Sequence, residues 1–319
     1  MRVSIIIAVK ASNDRLKECI KHCLKLNYKD YEILVLPDHV FSYQDERVHI
    51  IPTGPCLPAK KRDIGWHHAQ GDILAFLDDD AYPSEKWLDY AVRNFEDSQV
   101  AAVGGAAVTP PTESFMRMAS GLVYESFAVS GNFKYRYAQG KRCYIDDYPS
   151  CNLLVRKDVF AKIGGFRTKF WPGEDTILCL EITKKLKKKI VYDPEALVFH
   201  HRRSLFADHL KQIQNYALHR GYFVKRFPET SLRWQYFMPS VLLLWFVFGF
   251  IASVFSLFFS LFYIMSLLCY GGLLFLSSYD PKDLRMSRYV CAGIFLTHLY
   301  YGFHFIEGLL ASKLKEEKR

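Results

Sequence analysis

From Trp234 to Tyr279, 46 consecutive positions, the chain carries neither an acidic nor a basic side chain. A helix that crosses a bilayer needs roughly 20 apolar residues, so this block has room for two spans and a tight turn. A helical hairpin buried in a soluble core is the alternative, but a globular core rarely contains so long an uncharged run. A further apolar block, Tyr289 to Ala311, is interrupted by His298, His304 and Glu307. It could cross the membrane, re-enter it or lie at its surface. The connecting segment SSYDPKDLRMSR carries Lys282, Arg285 and Arg288, which the positive-inside rule places in the cytoplasm. Two spans before it put the N-terminal region on the same side. The tail SKLKEEKR is also basic and would lie outside if the last block crossed, so the sequence leaves that block's topology open.

Ahead of the membrane blocks the chain reads as a water-soluble domain with charges interspersed. Its opening, MRVSIIIAVK, has too short an apolar run and no small-residue cleavage site for a signal peptide, and reads as a buried strand. The eight cysteines contain no CxxC pair, and Cys19 and Cys23 stand one helical turn apart, as on a packed face. All eight read as reduced thiols. The net charge of +9 is concentrated in KKLKKK (Lys184 to Lys189) and between Arg202 and Arg233. Basic residues just before membrane spans suit a lipid surface. No nucleic-acid motif accompanies them, so nucleic acid is not an expected partner.

Continuous apolar runs at 4–9 and 32–36 suit strands buried on both faces of a parallel sheet. Between them, 13–26 has helical spacing at Leu16, Ile20 and Cys23, with Asn13 as its cap. The alternation continues with a strand near 48–51, a helix near 59–69, a strand at 73–77, a helix from Ser84 to about Phe95 and a strand near 100–105. This is an α/β pattern. Residues 110–147 are rich in Tyr, Phe, Ser and Gly and read as an insertion or a helix against the sheet. A strand, a short helix and a Gly-Gly turn follow at 150–166. A helix starts near Glu174 with Leu178, Ile182 and Leu186 inward, and two short strands flank Pro194. From Leu205 to Phe227 the chain is amphipathic, with Phe206, Leu210, Ile213, Ala217 and Val224 on one face, as in an interfacial helix. The expected domains are 1–204, catalytic and cytosolic; 205–233, interfacial; and 234–319, membrane-embedded.

The run ILAFLDDD ends an apolar strand on three carboxylates. Ligands of open α/β sheets bind at such carboxyl ends, and adjacent like charges need neutralising. Oxygen-rich clusters suit Mg²⁺ or Mn²⁺. Asp78 and Asp80 are two residues apart and can face one side while Asp79 faces away. A solvated acidic turn is the plain alternative. Glu174 and Asp175 open a helix, where acids favour the macrodipole in any case. His200 and His201 end an apolar strand, and either could complete a metal shell. Arg202 and Arg203, next to them, could hold phosphate.

In this order and setting the motifs resemble family 2 glycosyltransferases, the inverting group with the GT-A fold that uses nucleotide sugars. The resemblance runs from about residue 2 to 233. VSIIIAVKASNDRLKECIKHCLKLNYKDYEILVLPD resembles the first nucleotide-binding βαβ unit. AKKRDIGWHHAQGDILAFLDDDAYPSEKWL resembles the helix and strand that deliver the DXD motif. CNLLVRKDVFAKIGGF resembles the segment beneath donor sugar and acceptor. GEDTILCLEITKKLKKKIVYDPEALVFHH resembles the helix carrying the base and the strand leading to a histidine.

The resemblance implies a Rossmann-like mixed sheet flanked by helices, with an interfacial helix and C-terminal membrane helices. Ala8 would lie beside the nucleotide, and Asp38 would accept from its base. Arg62 and Asp63 would lie near the base and the DXD loop. Asp80 would bind Mn²⁺ or Mg²⁺, with Asp78 on the ribose or metal-bound water and Asp79 between them. His200 would be the further metal or diphosphate ligand, ahead of His201. Asp175 would be the catalytic base, Glu174 would position the acceptor, and Arg220 would act from the interfacial helix. The implied partners are a nucleotide sugar, UDP-linked by default, a lipid-linked glycan or glycolipid acceptor, and membrane lipid. The setting would be the cell membrane, with the catalytic domain facing the cytoplasm. The chain departs from the family pattern in reading Pro37-Asp38 for Asp-Asp, KASND in the first loop and Asp63 for Asn. It has no convincing QxxRW motif, which favours transfer of one sugar over a processive synthase. A catalytically silent scaffold is the alternative outside enzymes.

Overall fold

The computed structural model describes residues 1–317, so Lys318 and Arg319 of the basic tail lie outside the described residues. In chain order the first elements are β1 (Val3–Ala8), α1 (Asp14–Cys23), β2 (Tyr31–Leu36), β3 (Val48–Ile50), α2 (Pro58–His68), β4 (Ile73–Asp78), β5 (Ala81–Pro83), α3 (Trp87–Val92) and β6 (Val100–Val108). Then come α4 (Phe115–Glu125), α5 (Phe127–Ser130), β7 (Cys143–Ile145), β8 (Asn152–Arg156), α6 (Lys157–Ile163), α7 (Glu174–Leu180) and β9 (Lys189–His200). The chain closes with α8 (Ala207–Arg226), α9 (Pro228–Ser231), α10 (Trp234–Phe255), α11 (Leu257–Ser278) and α12 (Leu284–Leu310). Two compact units result: residues 1–110 with 135–201, and residues 111–134 with 202 onward.

The first unit is a mixed nine-stranded sheet, ordered β3-β2-β1-β4-β8-β6-β9-β5, with β7 also on β9. The strands read as continuous apolar runs are the central parallel ones, buried on both faces. One face packs Ile5, Ile7, Leu16, Ile20 and Trp87; the other packs Ile6, Phe76, Phe160, Phe166 and Ile182. Asn13 caps α1, accepting from the Leu16 N–H at 2.9 Å.

Two elements differ from the sequence reading. Ser84 does not open a helix. Residues Ala81–Pro83 pair with Val198–His200 as a short strand, so α3 starts only at Trp87, and Ser84 contributes its carbonyl to the Trp87 N–H at 3.0 Å. The two strands expected around Pro194 are one strand with a bulge. Gly105 pairs with Asp193 and Ala107 with Val198, so residues 194–197 stand out of the ladder, where a proline's missing N–H costs nothing. The bulge presses on Gly105, where a Cβ would stand 1.7 Å from the Ala196 carbonyl oxygen. Buried Asn152 fastens it, donating to the carbonyls of Ala106 (3.2 Å) and Ala196 (2.8 Å) and accepting from the Trp87 indole (2.8 Å).

The second unit is helical. It includes α4 and α5, from the stretch read as an insertion. Helices α10, α11 and α12 are long and apolar enough to cross a membrane. The apolar side chains of α10 and α11 are largely exposed, whereas α12 buries Val290, Ile294, Thr297 and Phe305. Leu210, Ile213, Ala217 and Phe223 of α8 are buried as the amphipathic pattern requires. That face packs on protein. A Cβ on Gly221 would stand 2.1 Å from the Phe305 carbonyl oxygen, and one on Gly308 would stand 2.1 Å from that of Leu218. Helices α8 and α12 therefore meet backbone to backbone. Near the start of α8, fully buried His209 links Ser120 Oγ (2.8 Å) and Thr297 Oγ1 (2.9 Å). Burial, helped by the nearby Arg202 charge, pushes His209 down to about 4, so it stays neutral.

Candidate active site

The parallel strands β1, β2 and β4 end level with one another: Ala8 is in register with Leu36 on one side and Asp78 on the other. Asp78 is thus the last residue of a buried strand, and the chain turns through Asp79 and Asp80 into β5. Pairing of Ala81 with His200 brings the end of β9 to the same place. His200 Nε2 lies 3.2 Å from Asp80 Oδ1, and one ligand atom each of Asp78, Asp80 and His200 lie within 4.8 Å of one another. His201 turns elsewhere: its backbone N–H donates to the Asp80 carbonyl at 2.9 Å, and its Nε2 meets Glu18 at 2.8 Å.

The charges of this corner are matched individually. Burial alone would lower the His200 pKa, but the adjacent Asp80 carboxylate pushes it up to about 10. Arg15 stands 3.7 Å from the other Asp80 oxygen. Asp79 accepts from the Asn13 amide at 3.1 Å. Its pKa is raised, first by burial and then by Asp80 and Asp78, with Asn13 opposing. Two carboxylates and an imidazole converging in this way form a donor set that suits Mn²⁺ or Mg²⁺.

A second group gathers around Arg62 of α2. Its Nη2 donates to Asp78 Oδ1 at 2.7 Å and its Nη1 to Glu174 Oε1 at 3.0 Å. Burial opposes the Arg62 charge, and Asp78, Glu174 and Asp175 outweigh it. Gly173, at φ +119°, makes the left-handed step into α7, a conformation that favours glycine. Glu174 is buried; desolvation and the neighbouring Asp175 push its pKa to about 7 against the pull of Arg62. Asp175 is held by the Ser150 N–H (3.2 Å) and the Thr176 N–H (2.7 Å).

Of the remaining expected residues, Asp38 follows β2 and pairs with Lys61 at 2.6 Å, which also donates to Thr53 Oγ1 at 2.8 Å. The sequence reading missed Lys61. The available signal was that an acid at a buried strand end needs a cation, and AKKRD supplies one beside Arg62. The Asp63 carboxylate accepts from the Phe166 N–H at 2.9 Å, clasping the turn at Gly165. Burial raises its pKa against that bond. Arg220 lies on α8 in the second unit, its guanidinium 5.0 Å over the Tyr236 ring.

Comparison with known proteins bears on the family and the fold. The pre-mycofactocin glycosyltransferase of Mycobacterium tuberculosis (strain CDC 1551 / Oshkosh) is 27% identical over 175 residues, 54% of this chain and 36% of the relative. The chain therefore spans about a third of that relative's length. The glucosyl-dolichyl phosphate glucuronosyltransferase of Haloferax volcanii is 21% identical over 219 residues, 63% of this chain and 69% of the relative. Among solved structures, the mannosyltransferase PcManGT of Pyrobaculum calidifontis, in complex with GDP-Man and Mn²⁺, superposes with a TM-score of 0.66. It is 16% identical, and the match covers 98% of this chain and 88% of that one; the likeness is one of fold. The sequence profile of glycosyl transferase family 2 matches residues 4–164, from β1 to the end of α6, and the chain belongs to that family.

Proposed function

We propose that the protein transfers one sugar, with inversion, from a nucleotide-sugar donor to a hydroxyl of a lipid-linked acceptor at the membrane. The observation that carries this reading is the convergence of Asp78, Asp80 and His200 at one strand end, with Arg62 tying Asp78 to the helix that bears Asp175. Asp78, Asp80 and His200 would hold a divalent cation, which when bound neutralises a leaving nucleoside diphosphate. Asp175 takes the acceptor hydroxyl proton on a carboxylate oxygen; the Ser150 and Thr176 N–H groups fix its orientation. With Asp175 as base opposite the leaving group, attack is in line and inverts the anomeric carbon without a covalent enzyme intermediate. A lipid-linked acceptor is supported by three helices apolar enough to cross a membrane and by the dolichyl phosphate substrate in the name of the Haloferax relative. The donor nucleotide is UDP by default. GDP and dTDP belong in the same test, GDP-mannose being the ligand in the PcManGT structure.

The test is nucleoside-diphosphate release by the full chain in detergent, from UDP-, GDP- and dTDP-sugars, with Mn²⁺, Mg²⁺ or EDTA and a membrane-lipid acceptor extract. Metal-dependent release from one donor, reduced at least ~100-fold in both Asp80→Asn and Asp175→Asn, is expected. Nucleotide binding without turnover by the wild type would refute the reading in favour of a silent scaffold.

A further inference from the structure

The family resemblance assigns Arg62 to the nucleotide, yet its guanidinium is already engaged by the protein. One terminal nitrogen holds Asp78, at the end of β4, and the other holds Glu174, at the start of α7. The Arg62 side chain is 4% exposed and that of Glu174 5%. The Phe166 ring lies 5.7 Å from the guanidinium carbon, and Phe166 is itself fixed through its backbone by Asp63, the residue after Arg62. Only the buried Nε lacks a hydrogen-bond partner among the described residues. A planar fork bonded at two corners, with the Phe166 ring nearby, is a rigid spacer, a geometry that lysine does not reproduce. It joins two acids that would otherwise repel, and it does so one residue before Asp175.

We propose that Arg62 is a positioning residue that sets the start of α7, and so Asp175, relative to the donor-side acids at the end of β4, rather than a residue that holds the nucleotide. This rests on the glycosyl-transfer reading above, because the atoms it positions are those of that reaction. A displacement of about 1 Å at a reacting group can cost on the order of 100-fold in rate. The fork's loss should therefore appear in turnover and not in nucleotide affinity.

The experiment compares wild type, Arg62→Lys and Arg62→Gln as full chains in detergent. It reads kcat at saturating donor, the calorimetric Kd of the free nucleoside diphosphate with Mn²⁺, and the unfolding midpoint. The expected result for Arg62→Lys is a kcat lowered about 100-fold with the nucleotide Kd changed by less than about fivefold. A Kd weakened by more than that, with or without loss of turnover, makes Arg62 a nucleotide ligand and overturns the proposal. Unchanged kcat and Kd overturn it too. If Arg62→Lys does not fold, Glu174→Gln, which weakens one arm only, is read for the same split. If wild type turns over no donor, the glycosyl-transfer reading fails by itself. The tie is then judged by double-mutant cycles of Arg62→Gln with Glu174→Gln and with Asp78→Asn in the unfolding midpoint. Non-additive losses in both cycles support the tie, and additivity in either overturns it.

Discussion

The contact of α8 with α12 permits a sharp test, because each helix offers a glycine to the other's backbone. An ordinary carbon–oxygen contact is about 3.3 Å or more, whereas a Cβ on Gly221 or Gly308 would stand 2.1 Å from a carbonyl oxygen. Alanine at either position therefore requires the helices to part by roughly 1 Å, losing close packing along their seam; overpacking of this kind costs about 1–3 kcal/mol. Alanine in place of glycine also returns about 1 kcal/mol of helix propensity. The net expectation for Gly221→Ala or Gly308→Ala is a loss of up to about 2 kcal/mol. The double variant should lose less than the sum, since helices parted once need not part again. The chain supplies its own control: a Cβ on Gly271 or Gly272 of α11 would meet nothing within 4 Å, so alanine there should be neutral or stabilising. The assay is equilibrium unfolding of the full chain in mixed micelles. If Gly221→Ala and Gly308→Ala behave like Gly271→Ala, the backbone contact is not present in the molecule and α8 is a separate interfacial helix.

Two further outcomes are expected. With Glu174 pushed up from 4.5 to about 7 by burial and Asp175, the folded state holds a proton that the unfolded state has lost between those pH values. Stability should fall by at most about 3 kcal/mol as pH rises through that window and level off above it. Unfolding free energies at pH 5 and pH 8 should differ less in Glu174→Gln than in wild type, and parallel curves would refute the assignment. Asn13 both caps α1 and donates to Asp79. Asn13→Ser keeps a capping oxygen, while Asn13→Asp keeps the cap but sets a second carboxylate on Asp79. The aspartate variant should therefore be less stable by about 1 kcal/mol at neutral pH, and equal unfolding midpoints would leave the cap as the residue's whole role.

The central sheet was legible because β1, β2 and β4 are buried on both faces, and such strands show as unbroken apolar runs. The strand end carrying Asp78 was legible for the same reason. What lay hidden depends on partners distant in sequence. The strand at Ala81–Pro83 exists only because Val198–His200 pairs with it, and three residues carry no period. The bulge at 194–197 is held by Asn152 and relieved by Gly105, neither of which is near Pro194 in the chain. The amphipathic pattern of α8 correctly marked a buried face. It could not say what buries it, since lipid and an apolar helix select the same side chains. The decision lay in Gly221 and Gly308, whose meaning appears only when the two helices are placed side by side. In the candidate site, the partners of Lys61 and the fork of Arg62 lay hidden likewise: AKKRD does not show which acids its cations meet until Asp38, Asp78 and Glu174 are brought to it.

Five carboxylates, those of Asp78, Asp79, Asp80, Glu174 and Asp175, surround this strand end, and the fold does not leave them to solvent. Arg15 and His200 face Asp80, Asn13 serves Asp79, and Arg62 divides itself between Asp78 and Glu174. Raising Glu174 toward neutrality removes part of one charge more. Among the described residues, Arg15, Arg62 and His200 are three positive groups beside five carboxylates. An incoming nucleotide sugar adds negative charge to a corner where acids still outnumber bases, and at such short range like charges repel strongly. Further positive charge would favour that ligand, and the converging atoms of Asp78, Asp80 and, once its proton is lost, His200 are where a divalent cation would fit. Donor and divalent cation are therefore expected to bind as a pair, each weakly without the other. On the proposed function, the three adjacent aspartates that look unfavourable in the sequence would make donor binding conditional on the metal.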